Sequence, residues 1–222
     1  VLNERSVIAH CIFLDHHPWL HWTSRKDLEL LADCESTVAH CPTVFSRRGI
    51  ALNTFGAYLD HGIRMSVGTD TYPHNMLDEC RTAVMVARVI GQSVTDLDCI
   101  DVFNAATVAG ADALNRSDIG RLAVGCKADF STIDLTSPSM RPVREPLRSL
   151  ITVAGSRPVT DVFVHGEQVV SNGDVLNIDF ELELTRLQVA QQNMLNVVSE
   201  KDWDNRSAVE LAPLMLTTVE SI

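Results

Sequence analysis

The stretch Met65-Ser-Val-Gly-Thr-Asp70 ends an apolar run in a carboxylate, and two earlier stretches follow the same design. Val7-Ile-Ala-His10 and Thr37-Val-Ala-His40 each end in an imidazole, so the three polar ends recur at equal intervals of 30 residues. That interval fits one strand, one helix and two short loops. Parallel βα repeats place functional groups at the C-terminal ends of their strands. The three stretches therefore predict successive α/β units with a reaction centre at their open rim.

The composition restricts the partners that we expect. Of the 222 residues, 45% are hydrophobic and 21% are charged, which is ordinary for a globular protein. The formal charge of −11 leaves no basic stripe to neutralise phosphates, so we expect no nucleic-acid partner. No apolar run approaches the roughly 20 residues that cross a bilayer, and no signal-peptide pattern is present. We therefore predict a cytoplasmic protein with no membrane partner.

Each of the three units is predicted to contain one strand followed by one helix. Apolar stretches predict strands at 6–10, 36–40 and 63–67, and helical spacing predicts helices at 24–32, 52–61 and 75–90, with a loop at 42–49. Ser24 and Asp27 have the spacing of a capping box at the start of the first helix. Gly62 and Gly91 are expected to end the other two helices.

The pattern changes in the second half of the chain. Helical spacing predicts one helix over 96–115, and a turn at Gly125 predicts short strands within 120–134. A hairpin turning at Gly166 is predicted within 161–173. Beyond Asp179 a long amphipathic helix is predicted, and the residues after Pro213 are expected to form a docked or loose tail.

Asp70 and His10 are the principal candidates for chemistry. A rim carboxylate can bind a divalent metal with one oxygen and accept a proton from water with the other, although Gly-Thr-Asp-Thr is equally good turn chemistry. The His10 imidazole can ligate a metal, polarise a carbonyl or transfer protons, or it can be structural. His40 precedes Cys41-Pro42, which favours a residue that supports the site from behind.

Substrate contacts are expected from the loops around these residues. Trp19 lies in an aromatic loop that is more typical of a pocket wall than of a metal site. His74 and Asn75 follow Asp70 in the next rim loop, and Asn75 can equally cap a helix. Arg47, in the second rim loop, can bind an anionic substrate or be solvated. The chain contains no Gly-x-Ser-x-Gly and no His-Glu-x-x-His, so serine chemistry has no support.

An ordered set of motifs resembles a known family. The set comprises Ala9-His10-Cys11-x-x-Leu14-Asp15, Ala39-His40-Cys41-Pro42, Val67-Gly68-Thr69-Asp70, Ala106-Thr107-x-x-Gly110-Ala111, Gly120-x-Leu122-x-x-Gly125-x-Lys127-Ala128-Asp129 and Val164-x-Gly166. In this order the motifs resemble the C-terminal half of the amidohydrolase superfamily. The nearest branch is the chlorohydrolase and aminohydrolase group, which includes guanine, cytosine and S-adenosylhomocysteine deaminases and triazine hydrolases.

The resemblance implies a fold and a domain organisation. It implies the C-terminal part of a (β/α)8 TIM-type barrel, with residues 1–119 as the last three βα units. Residues 120–178 would then supply strands of a small composite β module, and residues 179–222 the C-terminal helix and tail. An open barrel edge would lead us to expect a homo-oligomer.

The resemblance also implies a cofactor and site roles. Members carry one divalent metal, usually zinc and sometimes iron, and Asp70 is similar to the metal-associated aspartate that ends the eighth strand. His10 is similar to the histidine of the sixth strand that holds the substrate and the attacking water. The family's His-x-His pair and its fifth-strand histidine do not occur in this chain, and Thr43-Val-Phe45 stands where the family often has Ser-Asn. Since the chain also lacks an initiator Met, we expect it to be the C-terminal part of a longer protein.

Three functional hypotheses follow from these residues. The first is a metal-dependent hydrolase that acts on a C–N or C–Cl bond of a small heterocycle, most simply a deaminase. The second is an inactive fragment or scaffold that lacks the N-terminal metal ligands. The third keeps the enzyme and changes the bond, as in a cyclic amide hydrolase.

Overall fold

Three short parallel strands form the sheet that carries the predicted rim. The computed structural model describes residues 1–155 and 158–216, so the end of the predicted tail, at 217–222, lies outside the described residues. The strands are β1 (Val7–Ala9), β2 (Thr37–His40) and β3 (Arg64–Val67), in the order β1-β2-β3. Ala9 pairs with Ala39 and His40 with Val67, so the three strands end at one edge. The three predicted strands are confirmed.

Helices follow each of these strands and continue beyond them. They are α1 (Asp27–Asp33), α2 (Pro42–Ser46), α3 (Phe55–Asp60), α4 (Met76–Gly91), α5 (Cys99–Ala106), α6 (Val108–Ala113) and α7 (Pro146–Val153). The core between sheet and helices buries Val38 of β2, Tyr58 of α3 and Val102 of α5 completely. Burial of these apolar side chains stabilises the α/β layer by about 25 cal/mol per Å² removed from water.

A second, antiparallel sheet lies in the same compact unit, which spans Val1–Gly173. It contains β4 (Phe130–Ile133), β5 (Val159–Val164) and β6 (Glu167–Ser171), and it includes the predicted hairpin at Gly166. The other unit, Asp174–Ile222, contains β7 (Asp174–Val175), α8 (Phe180–Lys201) and α9 (Ala208–Leu211). The long predicted helix is confirmed as α8, and the Asp179 side chain accepts a hydrogen bond from the Leu182 N–H at its start.

The predicted capping box at Ser24 and Asp27 is wrong, because Asp15 caps α1 from a distance. One carboxylate oxygen of Asp15 accepts hydrogen bonds from the Ser24 hydroxyl at 2.5 Å and the Lys26 N–H at 2.6 Å. Asp27 instead accepts from the Asp15 N–H at 2.8 Å. Burial opposes ionisation of Asp15, but these hydrogen bonds outweigh it and lower its pKa. The loop between Asp15 and Ser24 is thereby closed at its base.

Two helix ends differ from the predictions. The predicted helix 96–115 is two helices, because the backbone of Thr107 leaves the helical region at φ −128° and ψ −86°. Gly120 also approaches this break so closely that a Cβ there would lie 2.9 Å from the Thr107 carbonyl oxygen. The helix α4 does not end through a left-handed Gly91. Gln92 adopts that conformation at φ 50°, whereas Gly91 is needed because a Cβ would collide with Asp96.

Two further segments differ from the predictions, one predicted as a loop and one predicted as a strand. The predicted loop 42–49 contains α2, since Pro42 stands at a helix start, where its fixed φ is favourable. Residues 120–129 form turns instead of a strand, with left-handed glycines at Gly120 and Gly125, and pairing begins only at Phe130.

Within residues 1–155 and 158–216, none of the helices combines the length and apolarity needed to cross a bilayer.

We expect Tyr58→Phe to lower the free energy of unfolding by about 1–2 kcal/mol, since it leaves a backbone carbonyl without a partner. The Tyr58 ring is fully buried, and its hydroxyl donates to the Cys11 carbonyl at 2.6 Å. Urea unfolding measures the loss. Tyr72, which is 72% exposed, provides the control, and Tyr72→Phe should change stability by less than about 0.5 kcal/mol. Equal effects of the two variants would contradict this account.

Candidate active site

The structure brings His10 and Asp70 together at the rim. His10 follows β1 and Asp70 follows β3, on either side of the central strand β2. The Nε2 atom of His10 lies 3.7 Å from Oδ2 of Asp70, and the side chains remain 27% and 46% exposed. Strands two places apart in a sheet are separated by roughly 10 Å, so both side chains must lean across the end of β2. The arrangement leaves an imidazole and a carboxylate facing the same space.

The backbone at both positions adopts a conformation that L-residues rarely use. The φ angles are 65° at His10, 51° at Cys11 and 55° at Asp70. Each such residue costs about 1–3 kcal/mol and persists only where its surroundings hold it, and such residues cluster at functional sites. Here the His10 N–H donates to the Ala39 carbonyl at 2.8 Å, and Tyr58 holds the Cys11 carbonyl. The chain thus leaves the strand pleat abruptly and turns both side chains toward the rim.

Phe45 is a site residue that the sequence did not identify. Its ring, on α2, contacts the His10 ring edge to face, with centroids 4.7 Å apart and planes at 65°. The Nδ1 atom of His10 is buried without a hydrogen-bond partner in the described part of the chain. Packing against Phe45 therefore contributes to the orientation of the imidazole. An isolated Phe in a predicted loop carries no signal that could have revealed this contact.

Arg47 connects the second rim loop to the third. Its Nη1 donates to the Tyr72 carbonyl at 2.8 Å, and the guanidinium carbon lies 5.0 Å from the centre of the Tyr72 ring. Of the two alternatives left open for Arg47, anion binding and simple solvation, neither describes this contact. The side chain instead holds the loop that begins at Asp70.

His74 and Asn75 are placed in that third loop. The Nδ1 atom of His74 lies 3.1 Å from the Thr69 hydroxyl, beside Asp70. Asn75 caps α4, since its side-chain oxygen accepts from the Leu77 N–H at 3.1 Å and its amide donates to Asp78 at 2.7 Å. The capping alternative for Asn75 is therefore realised. Substrate contacts by His74 and Asn75 stay predictions.

Trp19 belongs to a different group of side chains. Its ring packs against His17 at 5.6 Å and Phe13 at 6.1 Å between centroids. With His17 it lines a pocket of about 180 Å³ whose other wall is the segment 49–53. No aromatic or hydrogen-bonding contact in the described chain joins Trp19 to His10 or Asp70. A substrate contact of Trp19 stays a prediction.

His40 lies beneath the rim and is 3% exposed. Its ring contacts Phe55 edge to face at 5.9 Å, and its Nδ1 atom is buried without a described partner. Burial, together with the neighbouring His10, lowers the pKa of His40 to about 4. The imidazole is therefore neutral at pH 7 and adds no positive charge beside His10.

The side chains present fit part of a metal site. A zinc shell usually takes four ligands, three or four of them from the protein. Asp70 is an exposed carboxylate of the type that such a shell uses, and His10 faces it with an imidazole nitrogen. Within residues 1–155 and 158–216, however, no three His, Cys, Asp or Glu side chains are grouped to hold a metal ion. Within the described residues, Asp70 and His10 by themselves are therefore fewer groups than a complete ligand set requires.

The family follows from a comparison with known proteins. The amidohydrolase family matches residues 1–169 of the 222, and this chain belongs to that family. A 5-methylthioadenosine/S-adenosylhomocysteine deaminase of Pyrococcus abyssi is 31% identical over 185 residues, which cover 82% of this chain and 41% of the relative. The predicted resemblance to amidohydrolases of the aminohydrolase and chlorohydrolase group is confirmed.

Solved structures share the mixed α/β fold. An adenosine deaminase from Xanthomonas campestris with bound zinc is similar with a TM-score of 0.78 at 26% identity, covering 87% of this chain and 43% of that one. A mutant of the atrazine chlorohydrolase of Arthrobacter aurescens TC1, complexed with zinc and atraton, has a TM-score of 0.74 at 24% identity and shares the fold over 84% of this chain and 41% of that one. The chain spans about two fifths of the length of the relatives that it matches.

The buried His40 predicts a pH dependence of stability. An unfolded histidine binds a proton below about pH 6.5, whereas folded His40 does so only near pH 4. Between these values the unfolded state binds more protons, so the free energy of unfolding falls as the pH falls, by about 2 kcal/mol from pH 7 to pH 5. Urea unfolding at a series of pH values measures this slope.

His40→Gln should reduce the slope whatever it does to the stability at pH 7, because the slope depends only on the difference in bound protons between the unfolded and folded states. The matched control is His61→Gln, which removes an exposed histidine in place of the buried one. If His40→Gln and the unsubstituted chain have the same slope, His40 is not the buried neutral group.

Proposed function

We propose that this chain is the C-terminal part of a metal-dependent hydrolase that acts on a non-peptide C–N bond or a C–Cl bond of a small heterocycle, with deamination as the reaction. One observation carries the proposal. The imidazole of His10 and the carboxylate of Asp70 lie 3.7 Å apart at the rim, beyond the ends of two strands, in a chain that belongs to the amidohydrolase family. Membership in that family supports a hydrolytic role for the pair, which the contact alone would not indicate.

In this proposal Asp70 is both a metal ligand and a base, and His10 binds the reacting group. A divalent metal, zinc or alternatively iron, would activate a water molecule by lowering its pKa. The Asp70 carboxylate would accept one proton of the attacking water and return it to the departing amine, which would leave as ammonia, while the other proton of that water would stay on the product. His10 donates a hydrogen bond to the charge that develops on the substrate. The side chain of Phe45 keeps the imidazole in the orientation that this hydrogen bond requires.

The substrate class rests on the named relatives. The curated relative is a 5-methylthioadenosine/S-adenosylhomocysteine deaminase, and the structural relative with bound zinc is an adenosine deaminase. Both names point to an aromatic amine on a purine nucleoside, so adenosine-type compounds are the first substrates to test. A product assay separates the alternatives, since deamination releases ammonia, dechlorination releases chloride and cyclic amide hydrolysis leaves a carboxylate.

The domain organisation is part of the same proposal. Residues 1–119 are proposed as the last three βα units of the barrel, 120–178 as strands of a composite β module, and 179–222 as the C-terminal helix and tail. The remaining metal ligands would come from a preceding part of the longer protein. Rim residues Trp19, His74 and Asn75 are proposed to face the substrate, with His40 behind them. Association into a homo-oligomer and a cytoplasmic location stay predictions.

A second candidate, an inactive fragment or scaffold, is favoured for the isolated chain by one observation. In the described residues no group of three potential ligands surrounds a common point. Asp70 alone, or even together with His10, cannot fill a tight zinc shell. The full-length protein can therefore be an enzyme although the isolated chain is inactive. Metal analysis of the two proteins tests this difference.

We expect Asp70→Asn to lower the turnover of the full-length protein by a factor of about 10² to 10⁴, because the amide can no longer accept the proton. The assay is ammonia release from an adenosine-type substrate. Asp60→Asn, at an exposed position at the end of α3, is the matched control and should keep normal turnover. Undiminished activity of Asp70→Asn would reject the role of this carboxylate.

Zinc analysis tests the division of the ligands. After desalting, the full-length protein should retain about one zinc per chain, whereas the 222-residue chain should retain far less than one. Elemental analysis of both proteins gives the two numbers. A stoichiometric, tightly held zinc in the isolated chain would refute both the scaffold candidate and the proposal that further ligands lie outside this chain.

A further inference from the structure

Glu79 is a buried acidic residue that the proposed chemistry does not use. It lies in the first turn of α4 and is only 1% exposed. No Lys, Arg or His in the described part of the chain forms an ion pair with it. Burial of a carboxyl group costs free energy unless hydrogen bonds compensate. The position of Glu79 therefore calls for a specific partner.

That partner is the start of α2. The Oε2 atom of Glu79 accepts a hydrogen bond from the Thr43 N–H at 3.0 Å. Thr43 is in the first turn of α2, whose N-cap residue Cys41 provides no side-chain cap. The first N–H groups of a helix have no partner within the helix, and a carboxylate there is favoured by both hydrogen bonding and the helix dipole. Glu79 thus supplies from α4 the cap that α2 lacks.

The helix held in this way carries the contact to His10. Phe45 lies two residues after Thr43 and packs its ring on the His10 imidazole at 4.7 Å. The other end of α2 is held by Arg47, which reaches the Tyr72 carbonyl at 2.8 Å. A five-residue helix has little stability of its own, so these contacts from outside decide where it lies.

We propose that Glu79 is a positioning residue of the active site, whose buried carboxyl group holds the first turn of α2 and thereby sets the orientation of the His10 imidazole through Phe45. The inference rests on the proposed function for its catalytic consequence. Its structural part, the dependence of the His10 ring on Glu79, is independent of that function.

The test uses full-length protein labelled with ¹⁵N-histidine, in which the imidazole resonances of His10 are assigned through His10→Gln. In Glu79→Leu the resonances of His10 should shift, whereas in Glu79→Gln, which keeps a side-chain oxygen as acceptor, they should stay near their original positions. Phe45→Leu should shift the same resonances. In the double variant Glu79→Leu with Phe45→Leu, the shift should be no larger than in the stronger single variant, since both act through one contact.

Arg81→Leu is the matched control on the same helix. Arg81 donates to the Ile151 and Ala154 carbonyls at 3.1 Å and 2.7 Å, so its loss weakens the packing of α4 on α7, whereas none of its hydrogen bonds within the described residues reaches α2. This variant should lower the melting temperature and leave the His10 resonances in place. A purely structural role of Glu79 would make Glu79→Leu behave in the same way, and that result would overturn the proposal.

Kinetics provide the second measurement. Glu79→Leu should lower kcat by a factor of about 10 to 100 with little change in KM, as expected for a displaced catalytic group. Glu79→Gln should restore most of the loss. If Glu79→Leu does not fold, Phe45→Leu and Glu79→Gln still decide, because unchanged His10 resonances in Phe45→Leu contradict the proposal. Because the resonances do not depend on turnover, failure of the proposed function would be recognised separately.

Discussion

The meeting of His10 and Asp70 depends on the parallel pairing of three short strands that end at one edge. Each strand has only three or four residues, so the pairing determines the position of the rim within a single residue. Parallel ladders bury both faces, and β2 accordingly buries Val38 completely. A shift of one residue in the register would turn every side chain to the opposite face and separate the pair.

Buried polar groups hold the segments that leave these strands. Asp15 closes the first loop by capping α1, Tyr58 holds the carbonyl of Cys11, and Glu79 caps α2. Each of these groups joins elements that are 11 to 47 residues apart in the chain. Apolar packing alone would fill the core but would not specify where a loop begins, because it lacks direction.

The family was predicted more successfully from the sequence than the ends of the helices. The ordered motifs from Ala9 to Gly166 identified the family, since they mark strand ends, turns and one helix break in a set order. Helix ends were less accessible to sequence reasoning. Ser24 is a residue type that often caps helices, but the more distant Asp15 caps α1 instead. Gly91 is a residue type that often ends helices, but here glycine is required because Asp96 lies too close for a Cβ.

The sequence by itself determined the α/β class, the three strand ends and the family, because hydrophobic periodicity and the spacing of His10, His40 and Asp70 are local properties of the chain. Only the tertiary structure decided that His10 and Asp70 face each other, that Phe45 packs on the imidazole and that Glu79 holds α2. These contacts join residues far apart in the chain, and their distances follow from strand register and from left-handed backbone angles, which no local pattern encodes.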